Sequence, residues 1–491
     1  MHLDLNGRGR FTLRVAVLLA LLATPVLADH ARDFRIALDG LRANTLKPAD
    51  KVFLKDASSP GADRLLCLYE LGAFYQLGGD PGKSRGFFNT ADSVAHDYEG
   101  QAVVSAGGVG RNASAVLVND SVLKYEGFGY DKVMSRTLNA VNFLMLGDME
   151  GARVEVRKAE EYQRLERELH QRELQKGTPR GAESARLDNP AVTAQYGRMF
   201  DYVRNVRNSF ENAFTYYLAS QIYLARGEDG LNDAMVEIKK AYELSPQAPG
   251  VRSAYLEIAR AQGGSALEQA RIRLQVADAD PGPESPAMGS VVVLFQTGLV
   301  PQLEAVKISL FAEDKLYNLA FPIYRDFGNA QSPLLIQTPT RTVTTSTVLD
   351  TRALAVKALQ ERMPGILTRG LLGAIAKGQI QKDAEKNYGP FAGLAAMVAS
   401  AVLTQADRRS WLSLPAEVQV AKCNLAAGPN LLTLRGPGWS DTVTVNVTPG
   451  SQSFLLVRSF PGFKRVDLKT FDADGGEGTA PVQPAAPVPN L

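Results

Sequence analysis

Apolar residues recur at helical spacing from about residue 60 to 265 and in short strand-like runs from about 290 to 460, and the change of period divides the chain. In the first stretch, LLCLYELGAFYQL, TLNAVNFLMLGDMEGARVEVRKA and AFTYYLASQIYL each predict helix, and Gly-containing turns break them. Asp280-Pro281-Gly282-Pro283 marks the boundary. Beyond it lie SVVVLFQTG, AVKISLF, YNLAFPIYR, LLIQTPTRTVTTSTVL, EVQVAKCNL, NLLTLRG, DTVTVNVTPG and SFLLVRSF. About seven or eight short strands of this kind, separated by turns, predict an antiparallel β-sandwich. Residues 350–407 interrupt them with a helical pattern, for which Asp350 is the N-cap candidate. The apolar run GPFAGLAAMVASAVLTQ (389–405) reads as a helix buried against a partner, with membrane insertion or a self-association seam as the rival.

The helical half repeats itself. A tetratricopeptide repeat folds about 34 residues into two antiparallel helices, with small residues where they touch and aromatics beside the contact. With Leu65 as the first position, Gly72, Ser84 and Ala91 fall at the small positions, Tyr75 and Phe88 at the aromatic ones, and Gly78-Gly79-Asp80-Pro81 at the turn. A second unit from Val133 places Ala140, Phe143, Ala152, Val156 and Ala159, with Gly147-Asp148 in its turn. A third, from Ala213, places Ser220, Tyr223, Ala234, Ile238 and Ala241 around a longer turn at Gly227, and residues 255–263 read as a capping helix. The expected architecture is α+β and multidomain. A tetratricopeptide-like repeat domain (29–280) precedes an antiparallel β-sandwich-like domain (287–471) with a helical insertion. The Glu/Arg/Lys-rich stretch 149–176 reads as a solvated, self-paired helix, and the Pro/Ala-rich tail 472–491 as disordered.

The first residues read as an export leader. Arg8, Arg10 and Arg14 precede the apolar run Val15–Ala23, and Val26-Leu27-Ala28 supplies the processing site, so the exported chain is expected to start at Asp29 in the bacterial periplasm. The run is too short to span a bilayer, and no cysteine follows it to take a lipid. No membrane span is expected in the exported chain, which leaves peripheral association open. Lys plus Arg is 54 against 52 Asp plus Glu, so bulk charge gives no basis for nucleic-acid binding. Ala106-Gly107-Gly108-Val109-Gly110-Arg111 lacks the Gly-Lys-Ser/Thr ending of a phosphate loop, so no nucleotide is expected. Cys67 and Cys423 are either two small buried hydrophobes or one bridge between the halves.

The sequence presents no Gly-x-Ser-x-Gly elbow, no His-Glu-x-x-His and no local Cys-His pair, so no catalytic, cofactor or metal site is assigned. The positions expected to point into the concave groove of the repeats include Tyr69, Gln76, Thr137, Val141, Phe214, Tyr217 and Gln221. None of the groove positions is Lys, Arg or Asn, which argues against capture of a peptide carboxylate and for an apolar guest. That guest is a partner's amphipathic helix, or the chain's own 100–130 insertion or long helix. Gly72, Gly147, Asp148, Asp407, Arg408 and Trp411 are expected to serve structure, with Trp411 buried where the helical insertion returns to the sandwich.

The strings LYELGAFYQLGGDPGKSRGFF, TLNAVNFLMLGDMEGARVEVRKA, ALAVKALQERMPGIL and, most specifically, ADRRSWLSLP resemble a family of exported bacterial envelope proteins with tetratricopeptide-like N-terminal halves. The resemblance covers most of residues 60–460 and implies no catalytic residues. The helical repeats and the export pattern together lead to the expectation of a non-enzymatic interaction scaffold of the cell envelope that binds envelope protein partners. The alternatives are a glycan or peptidoglycan binder acting through the β domain, marked by an exposed Trp411 or Trp439, and an envelope-polymer enzyme using scattered carboxylates.

Overall fold

Where two helices must touch, the chain supplies a residue with little side chain, and the helical half is built on that rule. The computed structural model describes residues 30–106, 124–174, 186–276, 288–388 and 406–473. The residues expected to form a leader, most of the glycine-rich stretch after Ala106, the apolar run 389–405 and the tail beyond residue 473 lie outside them.

The helices are α1 (His30–Arg42), α2 (Lys47–Ser58), α3 (Arg64–Leu77), α4 (Pro81–Ala106), α5 (Gly129–Met145) and α6 (Met149–Leu174). They continue as α7 (Pro190–Tyr202), α8 (Ala213–Leu224), α9 (Leu231–Leu244), α10 (Pro249–Gln262) and α11 (Gly264–Leu274). The three expected hairpins are the pairs α3/α4, α5/α6 and α8/α9, and the expected capping helix is part of α10. A Cβ on Gly72 would lie 2.6 Å from the Phe88 ring, and Ser84 Oγ donates to the Gly72 carbonyl at 2.6 Å. Gly72→Val is therefore expected to force α3 and α4 apart and cost roughly 1–3 kcal/mol, read as a lower denaturation midpoint. At the α5/α6 turn Gly147 takes φ 82°, which a side chain would strain, and Asp148 Oδ1 accepts from the Gly151 amide at 2.7 Å. The helix pair α1/α2 precedes the point where the sequence pattern places the first repeat.

The strands are β1 (Met288–Thr297), β2 (Glu304–Ala312), β3 (Lys315–Ile323), β4 (Leu335–Gln337), β5 (Thr342–Thr344) and β6 (Ser346–Asp350). After α12 (Thr351–Tyr388) come β7 (Glu417–Ala426), β8 (Gly428–Gly436), β9 (Trp439–Val447), β10 (Gln452–Phe460) and β11 (Phe463–Phe471). One sheet runs β11-β10-β1-β7-β6, a second β5-β4-β8-β9, and β2-β3 form a separate hairpin. The expected all-antiparallel sandwich needs correction: β1 and β10 pair in parallel, from Ser290 opposite Gln452 to Thr297 opposite Ser459. No local pattern marks a partner that arrives so late in the chain. The run 334–349 also breaks into three strands, two in the small sheet and β6 in the large one.

The large sheet is covered on both faces, which explains why β10 along its whole length and β1 from Val291 onward are buried without alternation. Val291, Val293 and Phe295 face Leu334, Ile336, Leu432 and Leu434 of the small sheet in one core. Val292 and Leu294, with Val420 of β7 and Leu456 of β10, belong to the other core, which they share with the helices. Cys67 and Cys423 are free, and each is buried in a different one of these cores. α12 starts where expected, with Asp350 Oδ1 accepting from the Ala353 amide at 3.2 Å. It packs against β3, where a Cβ on Gly370 would come within 2.8 Å of Phe321.

α6 departs from the solvated helix the charges suggest. Its inner face, including Ala152, Glu155, Val156, Ala159, Tyr162 and Gln163, is buried. Two of its acids bind cations of α5: Glu155 takes buried Arg136 at 2.9 Å, and Glu166 takes Lys132 at 3.1 Å.

Candidate functional site

The residues expected to line a concave groove are buried in the core that the helices share with the large sheet and the segment 406–416. Tyr69, Thr137, Val141, Phe214, Tyr217 and Gln221 are all at or below 1 % exposure, so none can be touched from outside. Tyr69 stacks on Trp411 with centroids 4.7 Å apart, and the Gln221 carbonyl accepts from Gln452 Nε2 of β10 at 2.9 Å. Thr137 and Thr215 hydroxyls meet at 2.7 Å, joining α5 to α8. Gln76 is half-buried and spends its amide on Leu138 O and Asn142 Oδ1, at 2.9 and 2.7 Å. The chain itself covers these residues: Trp411 of the segment 406–416 and the backbone at Gly127 lie against Tyr69, and β10 meets Gln221, while residues 107–123 of the expected 100–130 guest lie outside the described residues. A partner reaching these residues has to displace that cover.

The segment 406–416 seals the joint. Trp411 is fully buried, packs on Tyr69 and Phe88, and donates Nε1–H to Ser413 Oγ at 2.7 Å. Glu70 of α3, also fully buried, accepts from the amides of Leu412 and Ser413 at 2.8 and 3.3 Å and lies 3.0 Å from His30 Nε2. Within ADRRSW the second arginine makes the bridge: Arg409 binds Asp407 at 2.7 Å and Asp63 at 2.8 Å, while Arg408 is exposed. Arg458 of β10 donates to the carbonyls of Gly298 and Ser413, and burial without a carboxylate lowers its pKa to about 9.

A buried acid lies beside this joint. Asp131 Oδ2 accepts from the Phe128 amide at 2.9 Å and Tyr125 OH at 2.6 Å, whereas Oδ1 is buried with no donor. Burial raises its pKa to about 6, against the lowering effect of those two donors.

The charged concavity of the helical half faces outward. A cleft of about 780 Å³ opens among α6, the loop before α8, α8 and α9. Arg157, Arg164, Arg167, Arg207 and Lys240 bring cations to it, and Glu160, Glu161, Glu211 and Glu243 bring carboxylates. Arg167 and Arg207 share Glu211 at 2.6 and 3.7 Å, and Arg164 takes Glu161 at 3.3 Å. Arg157 donates only to Tyr223 OH, at 3.4 Å, with no carboxylate in ion-pair reach among the described residues. Beside the cleft Lys240 joins Glu237 at 2.6 Å to Glu160 at 3.6 Å. Glu160 Oε1 and Glu237 Oε2 are buried without donors. Burial first and Glu160 second raise the Glu237 pKa to about 8.

These two acids set a pH dependence. Both bind a proton more tightly folded than unfolded, so their contribution favours the folded state on the acid side and declines as pH rises from about 4 to about 8. For Asp131 the shift corresponds to about 3 kcal/mol. Asp131→Asn and Glu237→Gln should each flatten the decline in melting temperature between pH 5 and 8.5. Unchanged slopes in both variants would contradict the assignment.

Neither tryptophan offers a sugar-stacking face: Trp411 is buried, and half-buried Trp439 lies under Lys464 and donates to Ser459 Oγ at 2.9 Å. Among the described residues no group of three metal-ligating side chains gathers, and no helix is long and apolar enough to cross a membrane. The sequence reading missed the cleft because its cations come from α6, the loop before α8, and α9. The charge run 149–176 was the available signal. No family model, curated protein or solved structure matches this chain.

Proposed function

We propose that the chain is an exported, non-enzymatic interaction scaffold of the bacterial cell envelope, with tetratricopeptide-like repeats that seat a protein partner on their outer face. The leader pattern of Arg8, Arg10, Arg14 and Val15–Ala23 supports export. The approach of Gly72 to Phe88, with buried Ala140, Ala152, Ala234 and Ala241 in the next two pairs, supports the repeat reading. The observation that carries the partner face is the contrast between groove positions covered by the chain's own sheet and segment 406–416 and a charged cleft open to solvent. Repeat arrays normally offer the concave side to partners, and here the chain itself covers those positions.

The test is capture from envelope extract by the exported chain, immobilised as wild type and as Arg157→Glu/Arg207→Glu. A partner held by the wild type and lost by the variant, with melting unchanged, supports the reading. Equal capture by both overturns the cleft as the partner face. N-terminal sequencing of the chain recovered from the periplasm should begin at Asp29, and retention of Arg8 or Arg14 would contradict export with processing.

A further inference from the structure

Resting on the cleft as the partner face, we infer that its ligand is an acidic peptide segment in extended conformation, read by the arginines of α6 and by Arg207. Arg157, Arg164 and Arg167 all line the cleft from one helix. At 1.5 Å per residue they spread guanidinium groups over about 15 Å. A phosphate or a single carboxylate spans only a fraction of that length. An extended peptide repeats the side chains of one face about every 7 Å, so three alternate acids cover the same distance. The volume of about 780 Å³ suits several residues of such a chain better than one small anion.

The charges that remain after internal pairing favour an acid. Arg157 has its guanidinium fork unspent on any carboxylate, and Arg207 holds Glu211 only at 3.7 Å while Arg167 holds the same carboxylate at 2.6 Å. Both are exposed, and planar forks of this kind pair bidentately with carboxylates. Arg167 is paired with Glu211 and Arg164 with Glu168 and Glu161, so a ligand acid reaches these two arginines in exchange for those carboxylates, and Glu160 and Glu237 share Lys240. Glu243 is the lining acid left without a cation in reach among the described residues.

The experiment is fluorescence anisotropy of a labelled ten-residue peptide alternating Glu and Ala, titrated with the full exported chain at low and moderate salt. Binding at low salt that weakens with salt is expected, because screened charges carry it. Arg157→Ala/Arg207→Ala should weaken binding at least ~10-fold, a loss of about 1.4 kcal/mol. Arg35→Ala, on the exposed face of α1, should leave it unchanged. An alternating Lys-Ala peptide should not bind. Inorganic phosphate competing at millimolar concentration would instead mark a small-anion site, and binding to anionic lipid vesicles with none to the peptide a lipid site; either overturns the inference. Absence of peptide binding overturns it too. If extract capture still depends on Arg157 and Arg207 in that case, the ligand class alone fails and the scaffold reading stands.

Discussion

Replacing Trp411 with alanine is expected to lower stability by roughly 3–5 kcal/mol, among the larger effects of a single core truncation. The ring is fully buried between Tyr69 of α3 and Phe88 of α4, and its Nε1 is satisfied by Ser413. Truncation leaves a cavity where the sheet domain meets the helices, and both sides lose the same contact. Trp411→Phe keeps an aromatic face against Tyr69 and gives up the hydrogen bond, so its cost should be smaller, about 1 kcal/mol plus the volume difference. Urea denaturation of the two variants reads this directly. An unchanged midpoint for Trp411→Ala would mean the ring is not part of the joint and would make ADRRSW a binding-site candidate.

The second large effect is expected at Glu70. Its carboxylate is the acceptor for two consecutive amides, Leu412 and Ser413, and it faces His30 at the start of α1. Glu70→Ala leaves two buried donors without a partner, at about 1–3 kcal/mol each. Glu70→Gln retains one acceptor oxygen and should recover part of the loss. The same denaturation curves measure both, and a Glu70→Ala variant as stable as wild type would show that residues 412–413 are held by other means. Trp411 and Glu70 share the segment 411–413, so their combined loss should fall short of the sum of the separate ones.

Much of this arrangement was legible in the chain, for reasons that differ by element. Gly72 opposite Phe88 and Gly147 in its turn could be placed because a helix contact and a left-handed turn each demand a residue type at a fixed local spacing. Asp350 could be placed because a cap acts on amides three residues away. The unbroken apolar run Val291–Phe295 of β1 is the local mark of a strand covered on both faces, whereas β10 sets Gln452, Ser453, Arg458 and Ser459 among its apolar residues and bears no such mark. A sheet with two apolar faces needs a second layer, and the helices supply it. The parallel pairing of Val292 with Phe454 could not be read, because residues so far apart share no local pattern. The same limit hid the cleft, whose cations come from α6, the loop before α8, and α9. Local sequence does not distinguish Arg409 from its neighbour Arg408, because the partner that does, Asp63, lies in the other half of the chain.

The central claim is that the residues expected to line a groove are covered by the chain itself, by the large sheet and the segment 406–416, and thermal melting of the full chain carrying Tyr69→Glu and Tyr217→Glu tests it most directly. Both rings are at or below 1 % exposure, so each substitution places a carboxylate in the shared core. The filled arrangement predicts a melting temperature lower by at least ~5 °C, or loss of a cooperative transition. Unchanged melting together with loss of partner capture would contradict it and return the binding site to an open groove.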